Sequence, residues 1–268
     1  MDPEAIVQAF ILTLLAGLAT TISSGIAFFT QRTNTRFLVM ALGFSAGIMI
    51  YVAFMELFPS GQAALVDYLG KSGELIAVIS LFAGMVLVTA IDRLVPLGYN
   101  PHEMRLVENH GNPLIRVASP HLVKAGLLTA LTITLHNFPE GLATFMAGME
   151  NLSLGVPVAV AVGIHNIPEG IAVSVPIYYA TGDKRLAFGL SALSGLSEPL
   201  GAALGLLVFA SAWSHLMLGL ALAAVAGMMI FIALDVLLPS AECYGQHHPT
   251  LYALLAGMGV MALSLMVL

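Results

Sequence analysis

Cysteine is almost absent from this chain. The lone Cys243 excludes an intrachain disulfide, a cysteine-based zinc finger and a dithiol redox pair, so any metal chemistry must rest on nitrogen and oxygen ligands. Charge is equally scarce: Asp, Glu, Lys and Arg make up 9% of 268 residues, with nine basic side chains against fifteen acidic ones and a net charge of −6. No basic stripe suits nucleic acid. The His-Glu-x-x-His pattern of hydrolytic zinc sites does not occur. The chain also lacks the basic start of a secretory signal. Met1-Asp2-Pro3-Glu4 is acidic and leads into an apolar run from Ala5 to about Phe29, longer than a signal h-region and therefore expected to be a retained first span.

Apolar length is abundant. Hydrophobic residues make up 59% of the chain and the mean hydropathy is +0.95, far outside the range of soluble domains. Continuous runs of spanning length fall at roughly 5–29, 37–58, 74–95, 122–148, 154–180, 186–211, 215–238 and 250–268. Continuity rather than alternation excludes a closed β-barrel, so the expected fold is all-α, one polytopic domain over 1–268 with eight transmembrane helices in a lipid bilayer.

The few basic residues orient it. Arg32, Arg36, Arg93, Arg105, Arg116, Lys124, Lys184 and Arg185 border the loops on one side, and only Lys71 lies on the other. The positive-inside rule places the first set in the cytoplasm and both termini outside. The loop over about 96–121 is then cytoplasmic. It carries His102, His110 and His121 among Asn-Pro and Ser-Pro turn signals, and reads either as a solvated connector or as a weak metal-holding loop.

Two repeats organise the rest. His136-Asn137-Phe138-Pro139-Glu140-Gly141 returns 29 positions later as His165-Asn166-Ile167-Pro168-Glu169-Gly170, in spans that run in opposite directions. The segment 46–60 matches 226–240 at eight of fifteen positions, including a Gly and a Pro, again in antiparallel spans. Inverted repeats around proline-interrupted helices mark a secondary transporter with its site near the midplane.

In a helix, residues three and four apart share a face. His136 and Glu140, His165 and Glu169, and the asparagines with the same glutamates therefore form two adjoining clusters that share carboxylates able to bridge two cations. Pro139 and Pro168 lack an amide hydrogen and free the carbonyls of Leu135 and Ile164, while Gly141 and Gly170 permit close helix approach. Glu198, just before Pro199 in span six, is expected to wall the asparagine cluster. Several glutamates in one dry site repel each other unless protons or a divalent cation intervene. Imidazole, carboxamide and carboxylate suit zinc, iron, manganese or cobalt, and the lack of thiolates argues against a copper(I) specialist.

A lone histidine in a membrane helix is ordinarily an interhelical hydrogen-bond partner; two copies of a six-residue pattern plus Glu198 outweigh that reading. Glu56, at the expected outer end of span two, and Asp235, near the inner end of span seven, either reach headgroup water or mark the two ends of a metal path. Met40, Met49, Met55, Met228 and Met229 read as packing. His215 and the pair His247-His248 read as solvated, the pair having metal capture as its alternative.

The paired motifs, the eight spans, the outside termini and Glu198 together resemble the ZIP (Zrt/Irt-like) metal transporters, and the near-identical hexapeptides resemble their bacterial ZupT-type branch. The resemblance covers essentially the whole chain. It implies uptake of divalent transition metals such as zinc, iron, manganese, cobalt or cadmium across the inner membrane into the cytoplasm. It also implies a three, two and three arrangement of spans, a binuclear site and a homodimer, with the metal as substrate and no resident cofactor. His136, Glu140, His165 and Glu169 resemble one family metal position; Asn137, Glu140, Asn166, Glu169 and Glu198 resemble the adjoining one. Asp235 is followed by Val236 where similar bacterial proteins often carry a second carboxylate, which bears on that end of the path alone. Two rivals use the same ligands: an intramembrane metal-dependent hydrolase, for which no separate general base is evident, and a passive metal-ion channel, whose flux would not saturate.

Overall fold

The computed structural model describes residues 2–25, 35–94, 120–209, 214–242 and 246–267. All regular structure in them is helical: α1 (Pro3–Ser24), α2 (Thr35–Val52), α3 (Phe58–Leu69), α4 (Ser72–Leu94), α5 (Pro120–Glu150), α6 (Leu152–Thr181), α7 (Lys184–Phe209), α8 (His215–Ile232), α9 (Leu238–Glu242) and α10 (His247–Val267). Among the described residues, seven spans are long and apolar enough to cross a membrane, and the 31-residue α5 is a further long helix. The expected cytoplasmic loop over 96–121 lies almost entirely outside the described residues, with His102 and His110.

The surface has the inverted polarity of a protein solvated by lipid. Val7, Ile11, Leu15 and Ile22 of α1 face outward while Thr13, Thr20, Ser23 and Ser24 of the same helix are buried. Large apolar side chains meet the apolar solvent; small and hydroxylated ones sit where helices meet and permit close approach.

Spans two and seven run further than the sequence reading placed them. The expectation ended them near 58 and 238, beside Pro59 and Pro239. In the structure α2 passes through a π-turn, Ala53–Leu57, directly into α3, and α8 passes through a π-turn, Ala233–Leu237, into α9. The N–H of Phe58 bonds the carbonyl of Ala53 and that of Leu238 bonds Ala233. The wider turn absorbs the donor and the space that proline removes, so the helix continues instead of breaking. The two π-turns occupy equivalent positions of the repeat 46–60 and 226–240, so the repeat is one of backbone as well as of side chains. Glu56 consequently lies within a continuous helix rather than at its end.

Helix contacts fall into two bodies. One comprises α1, α5, α6 and α7; the other comprises α2–α3, α4, α8–α9 and α10; they meet mainly where α2 touches α6 and α5 touches α8. Each body is arranged about the same exchange. The pairs α5 with α7 and α6 with α1 correspond, as do α2 with α10 and α8 with α4. At the crossing of α1 and α7, a Cβ on Gly17 would overlap the carbonyl of Gly195, and a Cβ on Gly195 that of Gly17. This reciprocal contact is what a two-fold relation between the halves requires.

Close crossings in the second body hang on Gly47, where a Cβ would overlap the backbone of Leu254, and on Gly227, where it would overlap that of Leu81. Gly47→Val or Gly227→Val should therefore lower the thermal stability of the purified protein by about 1–3 kcal/mol. Gly189→Ala, where a Cβ meets nothing within 4 Å, should leave stability unchanged or slightly raised. Thermal unfolding in detergent, followed by loss of monodisperse protein, checks both.

Candidate metal centre

The hairpin of α5 and α6 sets the site. A single residue, Asn151, joins them, and its side chain caps α6 by accepting from the Leu154 amide at 2.8 Å. So tight a turn makes the helices antiparallel neighbours. Glu140 lies eleven positions before Asn151 and His165 fourteen after it, which puts both at similar depth, about 16–21 Å from the turn. That is mid-depth for a hydrocarbon core of about 30 Å.

His165 Nε2 lies 3.0 Å from Glu140 Oε1 and 3.8 Å from Glu169 Oε1, with all three side chains buried. One ligand atom from each of the three residues falls within 4.8 Å of the others, the convergence needed to share one cation. The antiparallel pairing of the repeats thus joins Glu140 of one copy to His165 and Glu169 of the other. The backbone of His136 lies in α5, and its side chain falls outside the described residues.

A second group adjoins it. Asn166 Nδ2 donates to Glu198 Oε1 at 2.5 Å and to the carbonyl of Ala16 at 2.8 Å. Asn137 Nδ2 donates to the carbonyl and hydroxyl of Ser194 at 3.3 and 3.4 Å. Both carboxamides therefore turn their nitrogens to helix backbones and leave their oxygens for the interior. Among the described residues, Asn137 Oδ1, Asn166 Oδ1 and Glu198 Oε2 are buried without a hydrogen-bond partner. Buried oxygens without donors are costly; a hard or borderline cation supplies what they lack. The donor set of imidazole, carboxylate and carboxamide fits such an ion.

The structure adds groups the sequence reading passed over. α1 holds Asn166 through Ala16, and α7 holds Asn137 through Ser194, so the two helices play equivalent parts. Ser191 Oγ donates to the carbonyl of Gly170 at 3.2 Å, and Ser174 Oγ donates to the same oxygen at 2.6 Å. A Cβ at Gly141 would overlap the backbone of Glu198, and one at Gly170 the backbone of Thr20. Thr20 is thus the counterpart of Glu198 across the two-fold relation. It is buried, and its hydroxyl has no partner among the described residues. The close approach of Gly17 and Gly195 is what brings α1 to the site.

Other candidates are not brought to this centre. Glu56 and Asp235 are each half-buried within their π-turns. Met49, Met228 and Met229 are core residues as expected, but Met40 and Met55 point outward at 46% and 56% exposure, because they lie on the apolar face offered to lipid. His247 Nδ1 is 3.0 Å from Glu242 Oε1, and His248 stacks on Tyr252. His215 is not simply solvated but stands between Asp67 and Glu150. The side chain of His121 is outside the described residues.

A bundle of long apolar helices that buries histidine, asparagine and carboxylates together belongs to the class of polytopic membrane proteins. Comparison with known proteins narrows the class: the model of the ZIP Zinc transporter family matches residues 4–265, and this chain belongs to that family. It is 52% identical to a protein named zinc transporter ZupT from Clostridium perfringens, over 97% of this chain and 96% of that one. It is 51% identical to the protein of that name from Streptococcus mutans, over 96% of each chain, and 52% identical to that of Nitratidesulfovibrio vulgaris, over 99% of each. Membership makes this a transporter, not an enzyme, and makes the metal a substrate rather than a cofactor.

Asn166 ties three helices through one amide group. Asn166→Leu should remove the donor from Glu198 and Ala16 and destabilise the protein by about 1–3 kcal/mol through the buried oxygens left behind. A thermal midpoint equal to that of the parent would contradict this bonding.

Proposed function

We propose that this protein carries divalent transition metals, zinc foremost, across the inner membrane into the cytoplasm through a binuclear site between α5, α6 and α7. The observation that carries the reading is the convergence of His165 Nε2 with Glu140 and Glu169 at mid-depth. In the first cation position His136, Glu140, His165 and Glu169 are the ligands. In the second they are Asn137, Glu140, Asn166, Glu169 and Glu198, the glutamates being shared. The orphaned oxygens of Asn137, Asn166 and Glu198 support the second set, and the zinc transporters at about 50% identity support the choice of metal.

Transport proceeds by alternating access. The ion leaves water for buried ligands, and the body of α1, α5, α6 and α7 exposes it in turn to each side; the sparse contact between the two bodies supports motion of one against the other. Ligands must be deprotonated to hold metal, so affinity falls as pH falls. The charge bias puts both termini outside, and the single domain 1–268 has three, two and three spans in chain order, an order favoured by the exchanged helix pairs. Glu56 and Asp235 line the outer and inner ends of the path, and the protein works as a homodimer.

Glu169→Ala or His165→Ala should abolish most radiometal uptake at equal membrane abundance; parental rates in both would sink the assignment. Competition for uptake among zinc, iron, manganese, cobalt and cadmium ranks the substrates. Val236 is almost fully buried beside Asp235, and Val236→Glu should alter the pH dependence of uptake. An unchanged profile at every pH would remove that position from the path.

A further inference from the structure

One polar cluster has no part in the buried centre. His215, the first residue of α8, stands between carboxylates from two other helices. Its Nδ1 lies 3.6 Å from Asp67 Oδ2, near the end of α3, and its Nε2 lies 3.4 Å from Glu150 Oε1, at the end of α5. The imidazole is half exposed, Glu150 about a quarter and Asp67 mostly.

A neutral imidazole has a hydrogen on one ring nitrogen and a lone pair on the other. With the hydrogen on Nδ1 and directed at Asp67, the Nε2 lone pair faces an anionic oxygen. That contact is repulsive until a proton or a metal ion stands between them. Asp67, 3.6 Å from Nδ1 and beyond hydrogen-bond length, favours that tautomer by its charge alone. The 3.4 Å separation of Nε2 and Oε1 also equals the spacing of two tetrahedral ligands, since nitrogen and oxygen each about 2.0–2.2 Å from zinc lie about 3.4 Å apart. The surroundings attract cations: Asp2, Glu4, Asp67, Glu74 and Glu150 fall at this end of the bundle, with Lys71 the lone basic residue on the same side.

We propose that His215 Nε2 and the Glu150 carboxylate form a capture site for a divalent transition-metal ion at the outer mouth, with Asp67 as the positioning residue of the imidazole. Its role in uptake rests on the transport reading above, whereas its existence as a binding site does not. Glu150 is ten residues beyond Glu140 on the same helix, about 15 Å along its axis, so a captured ion is one short step from the buried centre. Two protein ligands, with water completing the shell, hold the ion loosely enough to pass it on. His215 belongs to one helical body and Glu150 to the other, so the ion also bridges them.

The test is a zinc titration of purified protein by calorimetry. His165→Ala/Glu169→Ala, monodisperse in detergent, should retain one weak zinc-binding step that is lost when His215→Ala or Glu150→Gln is added. If that background does not fold, the same comparison on the otherwise parental chain should show His215→Ala binding one zinc fewer. In vesicles, His215→Ala should raise the half-saturating zinc concentration several-fold, more than it lowers the maximal rate, and Asp67→Asn should do the same to a smaller degree. Zinc binding indifferent to both His215→Ala and Glu150→Gln, or absent once the buried ligands are gone, overturns the proposal: a proton, not a metal, then occupies the gap. Uptake that survives loss of the buried ligands would instead overturn the transport site and leave this result standing.

Discussion

Several ionisable and amide side chains are held at mid-depth in a bundle whose outer solvent is hydrocarbon, and every other feature answers to that constraint. Polar groups there have no water to satisfy them. Glu140, His165 and Glu169 meet one another, Asn166 and Asn137 spend their nitrogens on neighbouring helix backbones, and several oxygens remain for an ion. The glycines at the helix crossings follow from the same demand. Side chains as short as asparagine reach another helix's carbonyl only if the helices nearly touch, and Gly17, Gly141, Gly170 and Gly195 make that approach possible.

The site is built by an inverted repeat that is not fully symmetric. Asn137 and Asn166 bond equivalent points on α7 and α1, yet one of the paired helices offers Glu198 where the other offers Thr20. The departure falls at the asparagine group, where Glu198 adds a buried carboxylate that the two-fold relation does not repeat. The twin π-turns extend the symmetry into the second body, where each carries one acidic residue, Glu56 or Asp235, one position apart in the repeat register.

The division of helices into two bodies places the converging buried side chains entirely within one of them. Groups joining the bodies are therefore the ones able to sense their relative position. His215 and Glu150 are such a pair.

Much of this was legible in the sequence because each signal had a local physical cause. Unbroken apolar runs require long helices, and the spacing of His165 and Glu169 puts them on one helical face. The motif residues of α6 and Glu198, placed by the sequence inside long apolar runs, are buried. Where the reading fell short, the cause was long-range. The apolar runs stop beside Pro59 and Pro239, yet each helix continues there through a π-turn. Nothing in the local pattern of α1 marks Ala16 or Thr20, which matter only because Gly17 meets Gly195 nearly two hundred residues away. The sequence by itself determined which elements form, their polarity and the chemistry of their ligands, since these depend on neighbours within a few turns. Only the tertiary structure decided which polar side chains converge, which oxygens stay unpaired and that His215 sits between two carboxylates, because those are distances between helices and no periodicity encodes them.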